Sequence, residues 1–166
     1  MKKLLLCFVL IGVNTIVFGQ SLDLDDVRKD FNKGVKDEDL CKVHYETLKK
    51  NAKSPLEKGY AAAFQMFMAK HTSNPIKKMS YFNGGKGLLE AQLKVSPNDV
   101  ELRFIRLCIQ YYIPSYLGYR SNIKEDKAFM LDNLYKLKDE EAKDLIFKYL
   151  KGANMYSDQE LVLLAR

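Results

Sequence analysis

The chain is poor in the residues from which catalytic and metal centres are assembled. Two histidines, His44 and His71, and three cysteines, Cys7, Cys41 and Cys108, are spread over 166 residues. Only Cys41 and His44 stand close enough to share a helical face. His71 and Cys108 stand alone, so the set lacks the paired local spacing of a structural zinc site. A Cys/His nucleophile pair needs a thiol exposed in a positive environment, and both Cys41 and Cys108 sit at apolar-facing positions. No alternating run is long enough for a strand, which excludes a β architecture. Low-complexity stretches are absent, and with 47% hydrophobic and 29% charged residues the chain is not of the disordered class. No concentrated basic stripe is present, which excludes the usual footprint of a nucleic-acid binder. Asn83-Gly84-Gly85-Lys86-Gly87 fails as a phosphate loop, because Ser80 and Gly87 stand where the motif needs a glycine and a hydroxyl. Asp23, Asp25 and Asp26 lack the glycine and terminal glutamate of a calcium loop and read as acids at a helix start. No catalytic motif is present and no cofactor or metal is implied.

What the chain does have begins with MKKLLLCFVLIGVNTIVFGQ. A short basic start, an apolar run from Leu4 to Phe18 and small residues at its end have the layout of a secretory signal peptide. The run falls short of the ~20 residues of a comfortable membrane span. Cys7 follows Leu6 and lies too near the lysines to be a lipid-attachment site. Cleavage is expected after Gly19, leaving Gln20 at the mature N-terminus. The expected organisation is a signal peptide over 1–19 and one helical domain over 20–166, working in the periplasm or outside the cell. There it lacks ready access to ATP, nicotinamide cofactors and chromosomal DNA. Removing 19 of 166 residues leaves 147, enough to bury a real core, and the loss of Lys2 and Lys3 takes the formal charge from +6 to +4. No membrane span is expected after signal removal.

Helix punctuation is legible along the remainder. Ser54-Pro55, Asn74-Pro75 and Ser96-Pro97 each place a capping residue before a proline at the first helical position. Glu57 and Asp99 follow Ser54 and Ser96 by three residues, the spacing of a capping box. Asp37, Ser121, Asp139 and Ser157 are candidate caps, the last with Glu160 in box position. Leu40, Cys41, His44 and Leu48 share one helical face, as do Ala142, Leu145, Ile146, Tyr149 and Leu150. The spacing predicts helices over 22–34, 37–52, 55–70, 75–95, 97–112, 122–137, 140–151 and 158–165. The glycines within 75–95 either admit a close helix neighbour or break the helix near Asn83. The fold class is all-α, and short connections favour antiparallel neighbours. Cys41 and Cys108 are expected to be free, buried thiols; a bridge would tie an early helix to a central one and stabilise by about 4 kcal/mol in the chain-entropy model.

The helix over 97–112 is predicted to be central. Val100, Phe104, Leu107, Cys108 and Tyr111 form one apolar face and Leu102, Ile105, Ile109 and Tyr112 a second, leaving Asp99, Arg103, Arg106 and Gln110 as a polar stripe. The run from Gly85 through Leu89 and Gln92 to Pro97 resembles the second helix of a tetratricopeptide repeat, with ELRFIRLCIQYY as the first helix of the next. The resemblance covers residues 55–112. It departs from the repeat in its 42-residue spacing from Pro55 to Pro97, against about 34 in the repeat, and in Leu107, where a small residue belongs. ELRFIRLCIQYYIPSYLGYRSNIKEDK is also similar to a segment of exported helical proteins of Gram-negative bacteria, a likeness that carries no activity with it. The repeat resemblance implies seven to eight helices stacked as antiparallel hairpins in a right-handed array, with a concave side able to bind protein or peptide.

Two features are candidate binding elements. The loop YYIPSYLGYR over 111–120 carries four tyrosines, a proline and a glycine between strong helices. Its rings either plug the end of the helical stack or form an amphipathic ledge for a partner. Arg103, Arg106 and Gln110 lie on one stripe, where arginine either pairs with Glu125 and Asp126 of the next helix or faces a groove that receives an anion. A ligand site is expected at this stripe with Tyr111, Tyr116 and Tyr119 beside it. The expected role is a non-enzymatic exported scaffold that binds another envelope protein or a peptide. The alternatives are an enzyme with a pocket near Arg103, Arg106, His44 or His71, and a purely structural envelope component.

Overall fold

A computed structural model describes residues 22–166. The leading apolar tract, Cys7 and the cleavage position at Gly19 and Gln20 lie outside the described residues. Among those residues the chain forms eight α-helices, two short 3-10 helices and no strand, so it is all-α. The helices are α1 (Leu24–Asp30), α2 (Glu38–Asn51), α3 (Pro55–Met68), α4 (Pro75–Val95), α5 (Val100–Tyr112), α6 (Ile123–Asn133), α7 (Glu140–Gly152) and α8 (Asp158–Leu164). The 3-10 turns cover Ser115–Leu117 and Leu134–Lys136.

Most starts lie where the caps place them. Ser54 Oγ accepts the Glu57 amide at 3.2 Å, and the Glu57 carboxylate accepts the Ser54 amide at 2.9 Å, a closed capping box ahead of Pro55. Ser157 and Glu160 close a second box at α8. Asp23, Asp37, Asn74 and Asp139 each take first-turn amides.

Two starts differ from the sequence expectation. Ser96 closes α4 and Asp99 caps α5, its carboxylate accepting the Leu102 amide at 3.0 Å. The box partner expected of Ser96 is thus itself the cap, and Pro97 lies in the connection. Its carbonyl accepts from Arg103 Nε at 2.8 Å. At α6 the residue before the helix is Asn122, not Ser121, and it makes no capping bond because its side chain is engaged with Gln110 and Glu125. The first helix also stops at Asp30, short of the predicted 34. The turn that follows is fastened from both sides by the chain's two histidines: His44 Nε2 lies 2.9 Å from Asp30 Oδ2, and His71 Nε2 lies 2.8 Å from the Gly34 carbonyl.

The layers follow from burial. α3 carries the densest apolar surface, with Tyr60, Ala61, Ala62, Ala63, Phe64, Met66 and Phe67 all buried, and it packs against α2, α4 and α5. α4 runs unbroken through its glycines. A Cβ at Gly85 would stand 2.5 Å from the Ala62 carbonyl oxygen and one at Gly84 2.4 Å from the Gln65 side chain. The two helices pack along their length and are joined by residues 69–74 alone, so the pair is antiparallel. The glycine lets two backbones meet where any side chain would hold them apart. α5 lies across α3 and α4, its Leu102 filling the space left by Gly59. α6 packs on α5, α8 on α6 and α7 on α1. Phe31, at the end of α1, joins three of these elements: its ring centroid lies 5.8 Å from Tyr60, 5.6 Å from Phe104 and 6.0 Å from Tyr149. Cys41 and Cys108 are both free and buried.

Candidate functional site

α5 carries charge on two faces, although its sequence suggests one polar stripe. Positions two apart on a helix lie about 200° around the axis, so Glu101 faces away from Arg103. On the first face Arg106 grips both oxygens of Asp126 with one edge of its guanidinium, Nε to Oδ2 at 2.7 Å and Nη2 to Oδ1 at 2.8 Å. Asp126 is completely buried. Arg103 Nη1 donates to the same carboxylate at 2.8 Å and to Glu125. Its guanidinium also stands 4.9 Å from the Phe129 ring centre. Burial alone would lower the Arg106 pKa, but the bonds to Asp126 hold it further above its ordinary value. The charge is permanent. Hydrogen bonds from Arg103 and Asn122 likewise keep the Glu125 carboxyl below its usual range.

This network holds the tyrosine loop. Arg106 Nη1 reaches Glu90 of α4, whose other oxygen accepts the Tyr119 hydroxyl. Gln110, fully buried, exchanges two bonds with Asn122: its Nε2 donates to Oδ1 at 3.2 Å and its Oε1 accepts the Asn122 amide at 2.9 Å. Gly118 turns the chain at φ +62°, a backbone region that favours glycine. Of the six residues singled out in sequence, Arg106, Gln110 and Tyr119 are buried, while Arg103 and Tyr111 are half-buried. Tyr116 is 84% exposed, and Tyr112, the last residue of α5, is 59% exposed. Tyr111 and Tyr112 meet edge to face at 5.3 Å. The arginine stripe is therefore occupied by Glu90, Glu125 and Asp126, and the tyrosines divide into an anchor and two presented rings. No buried side-chain polar atom lacks a partner among the described residues.

The second face was not legible in the sequence. Glu101, 4% exposed, accepts from Arg28 Nε at 2.9 Å, Arg28 Nη2 at 2.6 Å and the Tyr60 hydroxyl at 3.0 Å. Arg28 also reaches Asp25 and Asp139. Burial would lower the Arg28 pKa, and the bonds and charge of Glu101 more than reverse this. The available signal was helical phase. Glu101 begins the i, i+3, i+4, i+7 set whose other members are Phe104, Ile105 and Cys108, and an acid on such a face needs a buried partner. Beside this triad is a cleft of about 250 Å³ between α1, α5 and α7. It adjoins Arg28 and Glu101, not the Arg103 and Arg106 stripe, and neither histidine lines it.

Among the described residues no cluster of three or more histidine, cysteine, aspartate or glutamate side chains is placed to hold a metal ion. Cys41 Sγ faces the Phe64 carbonyl at 3.7 Å, while His44 and His71 serve the α1–α2 turn. No described helix is long and apolar enough to cross a membrane. No family model, curated protein or solved structure matches the chain, so the functional reading rests on geometry and sequence.

Proposed function

We propose that this chain is an exported, non-enzymatic helical module that binds a protein or peptide through the loop over residues 111–120. One observation carries the reading: Tyr112, at the end of α5, and Tyr116, in the loop that follows, are exposed on a segment whose far end is bolted into the fold by Tyr119, Glu90, Arg106 and Gln110. A solvated connection between two helices needs neither the aromatic area nor the anchorage. Tyrosine offers large contact area and a polar tip with only two side-chain torsions to fix, and a rigid mount reduces the entropy lost on docking. Both ion networks support a non-catalytic role, since the oxygens of each buried carboxylate, Glu101 and Asp126, are already engaged by guanidinium groups.

A tetratricopeptide-like arrangement is part of the proposal. The antiparallel α3–α4 pair, closed by the contact of Gly85 with Ala62, supports it. Export rests on the leading apolar tract, with processing after Gly19 and a periplasmic or extracellular home. Amino-terminal sequencing of the protein recovered from its native host tests that part, with Gln20 as the expected first residue. Affinity capture from the envelope fraction tests the binding part. A partner held by the wild type and lost with Tyr112→Ser/Tyr116→Ser supports it, whereas equal recovery by both proteins contradicts it.

A further inference from the structure

The cleft beside the Arg28–Glu101 pair has a composition that the helical core does not need. We propose that it is a binding site for a small organic carboxylate with an aromatic or branched aliphatic body. Its volume, about 250 Å³, lies just under the roughly 300–1,000 Å³ of sites for drug-sized ligands, so the occupant is smaller than those. The walls are apolar and partly aromatic. Phe104 and Tyr149 meet edge to face at 5.3 Å and 88°, and Ile146 lines the cleft beside them. Such walls favour a flat ring or a branched alkyl group.

Charge selects the head group. The carboxylate within the lining, Glu101, already accepts three hydrogen bonds and is neutralised by Arg28. The other charged lining groups are cations. Lys29 and Lys148 are exposed at the mouth; Lys29 is paired with Glu141 at 2.9 Å, whereas Lys148 forms no ion pair among the described residues. Arg28 is held by Glu101 and Lys29 by Glu141, so the charge left unpaired at the cleft is the Lys148 ammonium, which disfavours a cationic ligand. An anion would set its body against Phe104, Tyr149 and Ile146 and its head at Lys148, in the manner of apolar pockets with a few well-placed polar groups.

Phenylacetate, titrated into the processed full-length protein and followed by methyl and amide NMR, tests the proposal. The expected result is saturable binding with Kd below about 1 mM and shift changes confined to the cleft, foremost Ile146, Leu145 and Ala142. Phenylacetamide, the neutral isostere, should bind at least tenfold more weakly. Lys148→Met, a substitution at an exposed position, should weaken phenylacetate about fivefold with the thermal midpoint unchanged. Asn32→Trp, which places an indole at the exposed rim, should abolish binding. Absence of saturation at millimolar phenylacetate would overturn the proposal. So would equal binding of the amide, shift changes elsewhere on the surface, or indifference to Lys148→Met.

Discussion

Arg28 and Glu101, at opposite ends of the α1–α5 segment, form a two-pronged ion pair inside the fold, with the Tyr60 hydroxyl closing the third side of the carboxylate. This one contact brings α1, α3 and α5 together. A buried pair of this kind contributes little net stability against an apolar substitute, because removing two charges from water offsets their attraction. Breaking it from one side is another matter, since the survivor is left charged in a low-dielectric setting.

Arg28→Met should therefore destabilise the protein by about 3–5 kcal/mol, whereas Arg28→Met/Glu101→Leu/Tyr60→Phe, which also removes the hydroxyl that would lose its acceptor, should recover most of that loss. Urea unfolding followed by circular dichroism checks both values. Equal losses in the single and triple variants would show that packing, not the uncompensated charge, is at stake.

Gly85 and Gly87 should respond to alanine with opposite signs. A Cβ at Gly85 would stand 2.5 Å from a backbone oxygen of α3 and must push the helices apart. At Gly87 nothing lies within 4 Å. Gly87→Ala should stabilise by about 0.5–1 kcal/mol through helix propensity, and Gly85→Ala should destabilise by about 1–3 kcal/mol through overpacking. Paired thermal melts decide the signs.

Stability should fall on both sides of neutrality. Backbone amides at helix starts hold the carboxyls of Glu57, Asp139 and Glu160 below their ordinary range. Their contribution is complete above the unfolded value of about 4 and is lost as pH drops through the lower folded values. Burial raises the phenol pKa of Tyr60, Tyr119 and Tyr149. That contribution is complete below the unfolded value of about 10 and erodes as pH climbs towards the folded values. Denaturant midpoints measured from pH 3 to 11 should form a plateau with two falling limbs. Glu57→Gln should shallow the acid limb.

The thiols should be silent in the folded protein. Burial pushes Cys41 up to about 12 and Cys108 well above its usual value. A thiol reagent at pH 8 should label neither while the chain is folded and both once it is denatured, with no reductant needed. Finding no free thiol in the denatured, unreduced protein would reveal a bridge and contradict the packing.

Local signals were readable and long-range ones were not. Ser54 with Pro55 and Glu57, Asn74 with Pro75, and Ser157 with Glu160 mark helix starts because the cap satisfies amides within its own next turn. The same logic failed at Ser96-Pro97, where Asp99 won the capping role and Arg103 took up the Pro97 carbonyl. Pairing of Arg103 and Arg106 with Glu125 and Asp126 was foreseeable because α5 and α6 are consecutive. The partnership of Glu101 with Arg28 and Tyr60 was not. It joins three elements far apart in the chain, and only their packing reveals it. The tyrosine loop stood out by composition, yet the burial of Tyr119, unlike the exposed Tyr112 and Tyr116, goes with its bond to Glu90, a residue of α4.

The most direct test is photo-cross-linking in the native host, with a photoreactive phenylalanine analogue placed in turn at Tyr112, Tyr116 and Tyr135. Tyr135, 44% exposed, lies in the 3-10 turn after α6 and serves as the comparison. The account predicts one discrete adduct of the same mass from positions 112 and 116 and none from 135. Adducts absent at 112 and 116, or the same diffuse products from all three positions, would contradict it.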